Sequence, residues 1–494
     1  MNKFVLAPSA QAMIWAARTG LNHRRGHALL APAMLAGTGN RILQSRPERI
    51  VIRSFALTIL VGTILLAMPF SNSDGRWLGP LSALFTSTSA VCVTGLSVVD
   101  VSKTLSPFGQ GLLLLLIQLG GLQIMTMGTL FLYLLGWRIS LKTEYVLMDA
   151  LGHESLRGLQ SLVRRTIVFS LIIEAVGSTI LAWRFWSAHG YAPVKAWCHG
   201  IFHAISAFCN AGFALYPDNL MGFQRDPVVL FTLAFLIVLG GIGFIVMFNL
   251  TSIRFWSRDH LQRGRLNLHS TVVLQTTLIL ILMGWVAFIV LEWWNTLANL
   301  PWQDKVTCAL FQSVTPRTAG FNVVDMAQCQ PSTLYMTMGL MFIGGSPAST
   351  AGGIKTTTVV ILALTAVTLI RGREETELKK RSVPTRIVRE SLAIFMLSVT
   401  VLAIAFAVLL LTEDLRHAVG TVSASEALLF EAVSALGTVG LSTGITPGLT
   451  ALGKLCLVVC MFIGRVGPLA LAVIVGSREV GQNVRYPEEA VVVG

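Results

Sequence analysis

Val93-Thr94-Gly95-Leu96 returns as Asn210-Ala211-Gly212-Phe213, Thr318-Ala319-Gly320-Phe321 and Thr438-Val439-Gly440-Leu441. The four glycines are separated by 117, 108 and 120 residues. A phenylalanine precedes each turn (Phe85, Phe202, Phe311 and Phe430) by 10, 10, 9 and 10 positions. A second marker follows each: Gly120-Gly121, Gly240-Gly241, Gly344-Gly345 and Gly464-Arg465. Three markers in register four times over identify an internal repeat, which decides the architecture before any single motif is weighed.

Composition fixes the medium in which the repeat folds. Of 494 residues, 54% are hydrophobic and 12% charged, and the mean hydropathy is +0.70. A soluble domain carries roughly 25% charged residues, so this chain lacks the charge to solvate a folded surface and reads as an integral membrane protein. Apolar runs long enough to cross are Val51–Phe70, Leu112–Leu135, Ile167–Trp186, Val228–Leu250, Thr271–Trp293 and Ile387–Leu411. Leu334–Ile370 is interrupted by a Gly/Ser/Thr-rich stretch, and Leu452–Val475 contains Arg465. These make eight spans, with a shorter segment between the members of each pair.

The expected fold is all-α: four tandem span, pore-helix, span repeats with pseudo-fourfold symmetry around one pore. The expected organisation is a cytoplasmic segment at 1–50, repeats at 51–137, 165–250, 271–370 and 387–476, cytoplasmic linkers at 138–164, 251–270 and 371–386, and a cytoplasmic tail at 477–494. Of 37 basic residues, 26 fall in the N-terminal stretch, the inter-repeat linkers and the tail. Cytoplasmic loops collect Lys and Arg, so both termini are expected inside the cell membrane, and the net charge of +13 is topological and does not call for nucleic acid. Seven cysteines without a CxxC pair, at 92, 198, 209, 308, 329, 456 and 460, read as packing residues. No phosphate-binding glycine motif is present, so no cofactor is expected on this chain.

A half-helix that stops inside the bilayer must bury its open backbone in protein or line a water-filled cavity. Four turns directing backbone carbonyls to one axis can replace the hydration shell of a cation, and glycine lets four backbones converge. TSTSAVCVTGLSVVD, SAFCNAGF, VTPRTAGFN and GTVGLSTG resemble the four filter loops of the Trk/Ktr/HKT superfamily of potassium transporters, most closely the Ktr-type membrane subunit. The resemblance covers about residues 50 to 475 and implies K+ as the transported ion, with Na+ or proton coupling left open. It also implies a homodimer on a cytosolic ring of Rossmann-type nucleotide-binding subunits of the RCK kind, for which the basic linkers offer a docking face.

The interruption in the third repeat, Gly344-Gly345-Ser346-Pro347-Ala348-Ser349-Thr350-Ala351-Gly352-Gly353-Ile354-Lys355-Thr356, is too rich in Gly and Pro for a continuous helix. Its spacing sets it beneath the filter turn, and the resemblance implies an intramembrane gate. Arg465 stands where the other repeats carry glycine. A charge at that depth requires a polar surrounding, either the carbonyls of the loop or a carboxylate on a neighbouring helix. Glu431 and His203, each one residue past a marker phenylalanine, are expected to brace backbone. Asp100, Asp218 and Asp325, five or six residues past their glycines, are expected at the outer mouth as cation attractors or as loop caps. An ion-coupled carrier with two broken-helix halves is the alternative, disfavoured by a fourfold repeat.

Overall fold

Proline opens many of the helices. It sits at the first helical position in α1 (Pro47–Ala67), α2 (Pro80–Val91), α3 (Pro107–Gly121), α5 (Pro193–Phe208), α6 (Pro227–Ile242) and α10 (Pro331–Phe342), where its missing N–H costs nothing. The other long helices are α4 (Leu156–Ser187), α7 (Phe244–Ser252), α8 (Leu268–Glu292), α9 (Trp302–Val314), α11 (Thr356–Ile370), α12 (Thr385–Thr412), α13 (Ala424–Gly437) and α14 (Ala451–Val466), with a one-turn helix at Val101–Thr104 and four 3-10 turns besides among the described residues. The structure, a computed structural model, describes residues 47–122, 156–252, 266–373, 375–379, 381–413 and 422–467. Within them the fold is helical apart from one small antiparallel pairing, Glu377–Leu378 with Arg381–Ser382.

Each repeat places a long outer helix (α1, α4, α8, α12), a half-helix (α2, α5, α9, α13) and an inner helix (α3, α6, α10, α14) in that order. The half-helices have 12 to 16 residues, about 18–24 Å at 1.5 Å per residue, short of the ~30 Å hydrocarbon core. Polar caps set where the inner helices begin: the Ser106, Asp226 and Thr450 side chains accept from the first-turn N–H groups of α3, α6 and α14. Two buried or half-buried carboxylates pull the outer and inner helices together at that end, Glu292 accepting from the Gln330 N–H at 2.9 Å and Glu413 from the Thr450 N–H at 3.0 Å.

The repeats close into a ring. The inner helix of each packs on the half-helix of the next: α3 on α5, α6 on α9, α10 on α13, and α14 back on α2. Within a repeat, the first glycine of the second marker allows the inner helix to reach the end of its own half-helix. A β-carbon at Gly120, Gly240 or Gly464 would collide with the carbonyl of Val91, Phe208 or Leu436. That contact explains the marker in three repeats; in the third, Gly344 abuts the Gly352 carbonyl instead.

The span set differs from the expectation at one clear place. Among the described residues, Arg164–Ser187, Leu268–Glu292 and Thr385–Thr412 are long and apolar enough to cross as single helices. Val228–Leu250, expected as continuous, is broken at Gly243, and its two pieces, Pro227–Ile242 and Phe244–Thr251, meet at a bend of 99°. Gly243 has φ of 89°, and Phe244 donates its N–H to the Ala348 carbonyl at 2.9 Å, outside any helix. Helix α3 is described from Pro107 to Gly121, and the rest of the expected Leu112–Leu135 span, residues 123–135, lies outside the described residues. The basic linker residues Arg254, Arg258, Arg263 and Arg265, and the segments at both termini, lie outside the described residues.

Candidate functional site

The four turns share one backbone conformation. Val93, Asn210, Thr318 and Thr438 have φ of 55°, 60°, 74° and 50°, and Gly95, Gly212, Gly320 and Gly440 have φ of 95°, 68°, 76° and 95°. The residue between them has negative φ in every case. A non-glycine residue at positive φ is uncommon, and for Val or Thr it is an outlier. Such strain persists only where surrounding structure enforces it. A strand of uniform φ alternates its residues from side to side, and reversing φ at every second residue breaks that alternation.

The carbonyls then meet the neighbouring repeat in cyclic order. A β-carbon on Gly95 would strike the Ala211 carbonyl, and one on Gly212 would lie 2.7 Å from the Ala319 carbonyl. One on Gly320 would strike the Val439 carbonyl, and one on Gly440 the Thr94 carbonyl. The fourth turn therefore closes on the first, and the sixteen residues Val93–Leu96, Asn210–Phe213, Thr318–Phe321 and Thr438–Leu441 form one annulus. All are buried except Gly95.

Hydroxyls that the sequence reading missed hold the annulus in place. Ser89 and Ser434 accept the Gly95 and Gly440 N–H groups through Oγ, at 3.0 Å each. In the other two repeats the hydroxyl works on the other side of the glycine: Ser206 donates to the Phe213 carbonyl at 2.8 Å and Thr315 to the Phe321 carbonyl. These residues precede their glycines by 6, 6, 6 and 5 positions. The signal was present, hidden in serine- and threonine-rich stretches where one more hydroxyl carries little information.

Beyond the turn, Glu431 and His203 do what was expected of them. The Glu431 carboxylate accepts from the Ser442 hydroxyl, the Thr446 hydroxyl at 2.8 Å and the Thr443 N–H at 3.1 Å. The His203 ring takes the Leu215 N–H on Nε2 at 3.3 Å. Thr443 and Leu215 each stand three residues past their glycine, so the two repeats use unlike side chains for one task. Asp100 and Asp325 cap local turns, accepting from the N–H groups of Ser102 and Ala327, and Asp218 is exposed. None of the three enters the annulus. Another missed carboxylate, buried Glu174 on α4, accepts from Gln118 of α3 at 3.1 and 3.2 Å and ties the first repeat to the second.

The 344–356 segment is wedged against the annulus at Thr438, the first residue of the fourth turn. Its ends are joined by the Gly344 N–H donating to the Ile354 carbonyl and the Thr356 N–H to the Gly345 carbonyl. Ser346 and Thr350 donate their N–H groups to the Gly241 and Gly240 carbonyls of the second repeat, and the Thr350 hydroxyl reaches the Phe208 carbonyl at the end of α5. Gly352 lies against the side chain of Thr438, so a β-carbon there would collide with it. Ser346, Ser349 and Thr350 are fully buried, and their hydrogen bonds make an irregular segment tolerable at this depth. Pro347 presents its carbonyl to Gly243. Lys355 turns its ammonium back onto the Ala351 carbonyl at 2.7 Å, and Gly353 approaches Gly437.

Arg465 lies across this segment. Its guanidinium donates to the Thr350 carbonyl of the loop and to the Gly120 carbonyl of α3. Of the two surroundings open to it, the structure gives the carbonyls: no carboxylate pairs with it among the described residues. No group of three or more His, Cys, Asp or Glu side chains that could hold a metal ion occurs among the described residues.

Residues 38–485 match the family model described as TrkH, cation transport protein. The chain belongs to the TrkH family. It is 38% identical to the Ktr system potassium uptake protein B of Bacillus subtilis, over 91% of this chain and 97% of that one. It is 36% identical to the potassium/sodium uptake protein NtpJ of Enterococcus hirae, over 91% and 97%. In fold it is similar to the crystal structure of the potassium transporter TrkH from Vibrio parahaemolyticus, with a TM-score of 0.65 and 17% identity over 94% of this chain and 88% of that one. The TrkH family is one of membrane transport proteins, not of enzymes, and the all-α architecture of four repeats around one axis is the fold this chain shares with its structural neighbour.

Proposed function

We propose that this TrkH-family chain is the pore-forming membrane subunit of a potassium uptake system, conducting K+ through the annulus formed by the four turns. The observation that carries the reading is cyclic closure: each turn glycine faces the carbonyl of the next repeat, and the last faces the first. Such an arrangement supplies a cation with oxygen ligands from four sides. The names of the Bacillus and Enterococcus relatives support K+ as the main ion, with Na+ as a companion ion.

The 344–356 loop and Arg465 form the gate in this reading. The loop obstructs the inner end of the annulus sterically, and the guanidinium adds a fixed positive charge there. A cytosolic Rossmann-type nucleotide-binding ring docks on the basic linkers 138–164, 251–270 and 371–386 and withdraws the loop. The chain works as a homodimer in the cell membrane, with both termini cytoplasmic and the repeat and linker boundaries given above. The Ktr system relatives support a multi-component assembly. An alternating carrier with a solute site between two halves is disfavoured because four equivalent turns meet at one axis.

The test is growth and uptake in a strain lacking its own potassium transporters, expressing this chain with and without a cytosolic partner. Potassium-dependent rescue with saturable K+ uptake is expected. Uptake of an organic solute without K+ conduction would overturn the reading.

A further inference from the structure

A groove of about 790 Å³ opens where α4 meets α7, lined by Arg164, Arg165, Val168, Phe169, Ile172, Phe248 and Thr251. We propose that it binds an anionic phospholipid, with the two guanidiniums on the headgroup phosphate and the acyl chain along the apolar wall.

Three observations carry this. First, the groove lies at a membrane boundary. Arg164 and Arg165 stand just before the apolar run Ile167–Trp186 of α4, whose 20 residues cover about 30 Å, the thickness of the hydrocarbon core. A side chain at that end reaches headgroup phosphates. Second, the lining is divided by chemistry: two adjacent exposed arginines at one end, and Val168, Ile172 and the Phe169–Phe248 pair along the wall, ring centroids 6.2 Å apart. A soluble anion uses only the charged end, whereas a phospholipid matches both, and basic pockets between membrane helices are the recognised form of such sites. Third, neither arginine pairs with a carboxylate among the described residues.

The location links the site to the rest of the molecule. Helix α7 begins at Phe244, whose N–H holds the Ala348 carbonyl of the 344–356 loop. A lipid lying between α4 and Phe248 contacts α7 one helical turn beyond that hydrogen bond. The proposal is independent of which ion the annulus passes.

The experiment uses the full chain purified in detergent. Phosphatidylglycerol or phosphatidylcholine is added and retained lipid is read by native mass spectrometry. Preferential retention of phosphatidylglycerol is expected. With surface attraction of the usual strength per basic residue, Arg164→Gln/Arg165→Gln should weaken it about thirtyfold. Ile172→Trp, which fills the apolar wall and leaves both charges, should also reduce retention and guards against misfolding of the charge variant. Soluble glycerophosphoglycerol should not compete at concentrations that saturate with the lipid. Equal retention of both lipids by the unmodified chain, or unchanged phosphatidylglycerol retention in both variants, overturns the site. A change in oligomeric state of the double variant with lipid retention intact would show that a second copy covers the groove, and would also overturn it.

Discussion

The guanidinium of Arg465, on the fourth repeat, donates to the carbonyl of Thr350, in the broken segment of the third. Its other donor takes the Gly120 carbonyl of the first repeat, so one side chain joins three quarters of the ring at the level of the loop. A hydrogen bond from a charged donor contributes roughly 1.5–3 kcal/mol, enough to hold a glycine-rich segment that has little helical stability of its own. Arg465→Ala should raise initial K+ uptake in vesicles about tenfold at matched protein level and reduce its dependence on the cytosolic partner. Arg465→Lys keeps the charge but loses the fork that reaches two carbonyls, so an intermediate rate is expected. Unchanged or lower flux in a correctly inserted Arg465→Ala protein would return the loop to a packing role.

The turn glycines combine positive φ with a carbonyl at the position a β-carbon would take. Gly95→Ser and Gly320→Ser should each push one quarter of the annulus outward. K+ affinity should fall by about tenfold, the effect of some 1.4 kcal/mol, and Na+ should compete better in uptake assays. If apparent affinities for both ions are preserved in both variants, the annulus is not the filter.

Glu431 gathers two hydroxyls and one N–H just beyond the fourth turn. Removing an acceptor from buried donors costs about 1–3 kcal/mol for each group left unsatisfied. Glu431→Ala should therefore lower the melting temperature of the detergent-solubilised protein by several degrees and weaken discrimination against Na+. Glu431→Gln keeps one acceptor oxygen and should lie between. A melting curve identical to that of the unmodified protein in Glu431→Ala would show that the carboxylate supports nothing.

Neutralising Arg254, Arg258, Arg263 and Arg265 should weaken capture of the cytosolic ring while leaving K+ conduction by the isolated chain intact. The check is a pull-down at two salt concentrations, since surface charge pairs are screened as ionic strength rises. Full recovery of the ring at both would remove the 251–270 linker from the docking face.

The repeat was legible because its markers answer to geometry: glycine where backbones meet, and phenylalanine in the buried half-helix. The loop was legible from its Gly and Pro content, and Arg465 from the cost of a charge at that depth. The bend at Gly243 was not, because the residues on both sides form an unbroken apolar run. What bends the chain there is a partner more than a hundred residues away, Ala348. The hydroxyls of Ser89, Ser206, Thr315 and Ser434 were missed for a different reason. Their residue type is common in the half-helices, and only their distance from the glycine distinguishes them.

Cyclic closure within one polypeptide changes what inheritance can do with the structure. A ring assembled from four copies of one gene product receives every substitution four times, so a single arginine beneath the annulus would become four clustered charges. Here each quadrant mutates alone. A histidine and a glutamate can share one bracing task in different quadrants, and the fourth can carry a positive charge while the third carries an irregular glycine-rich segment. Asymmetry of that kind is closed to a homotetramer, and it lets the residues of the annulus drift separately from those of the segment packed against it.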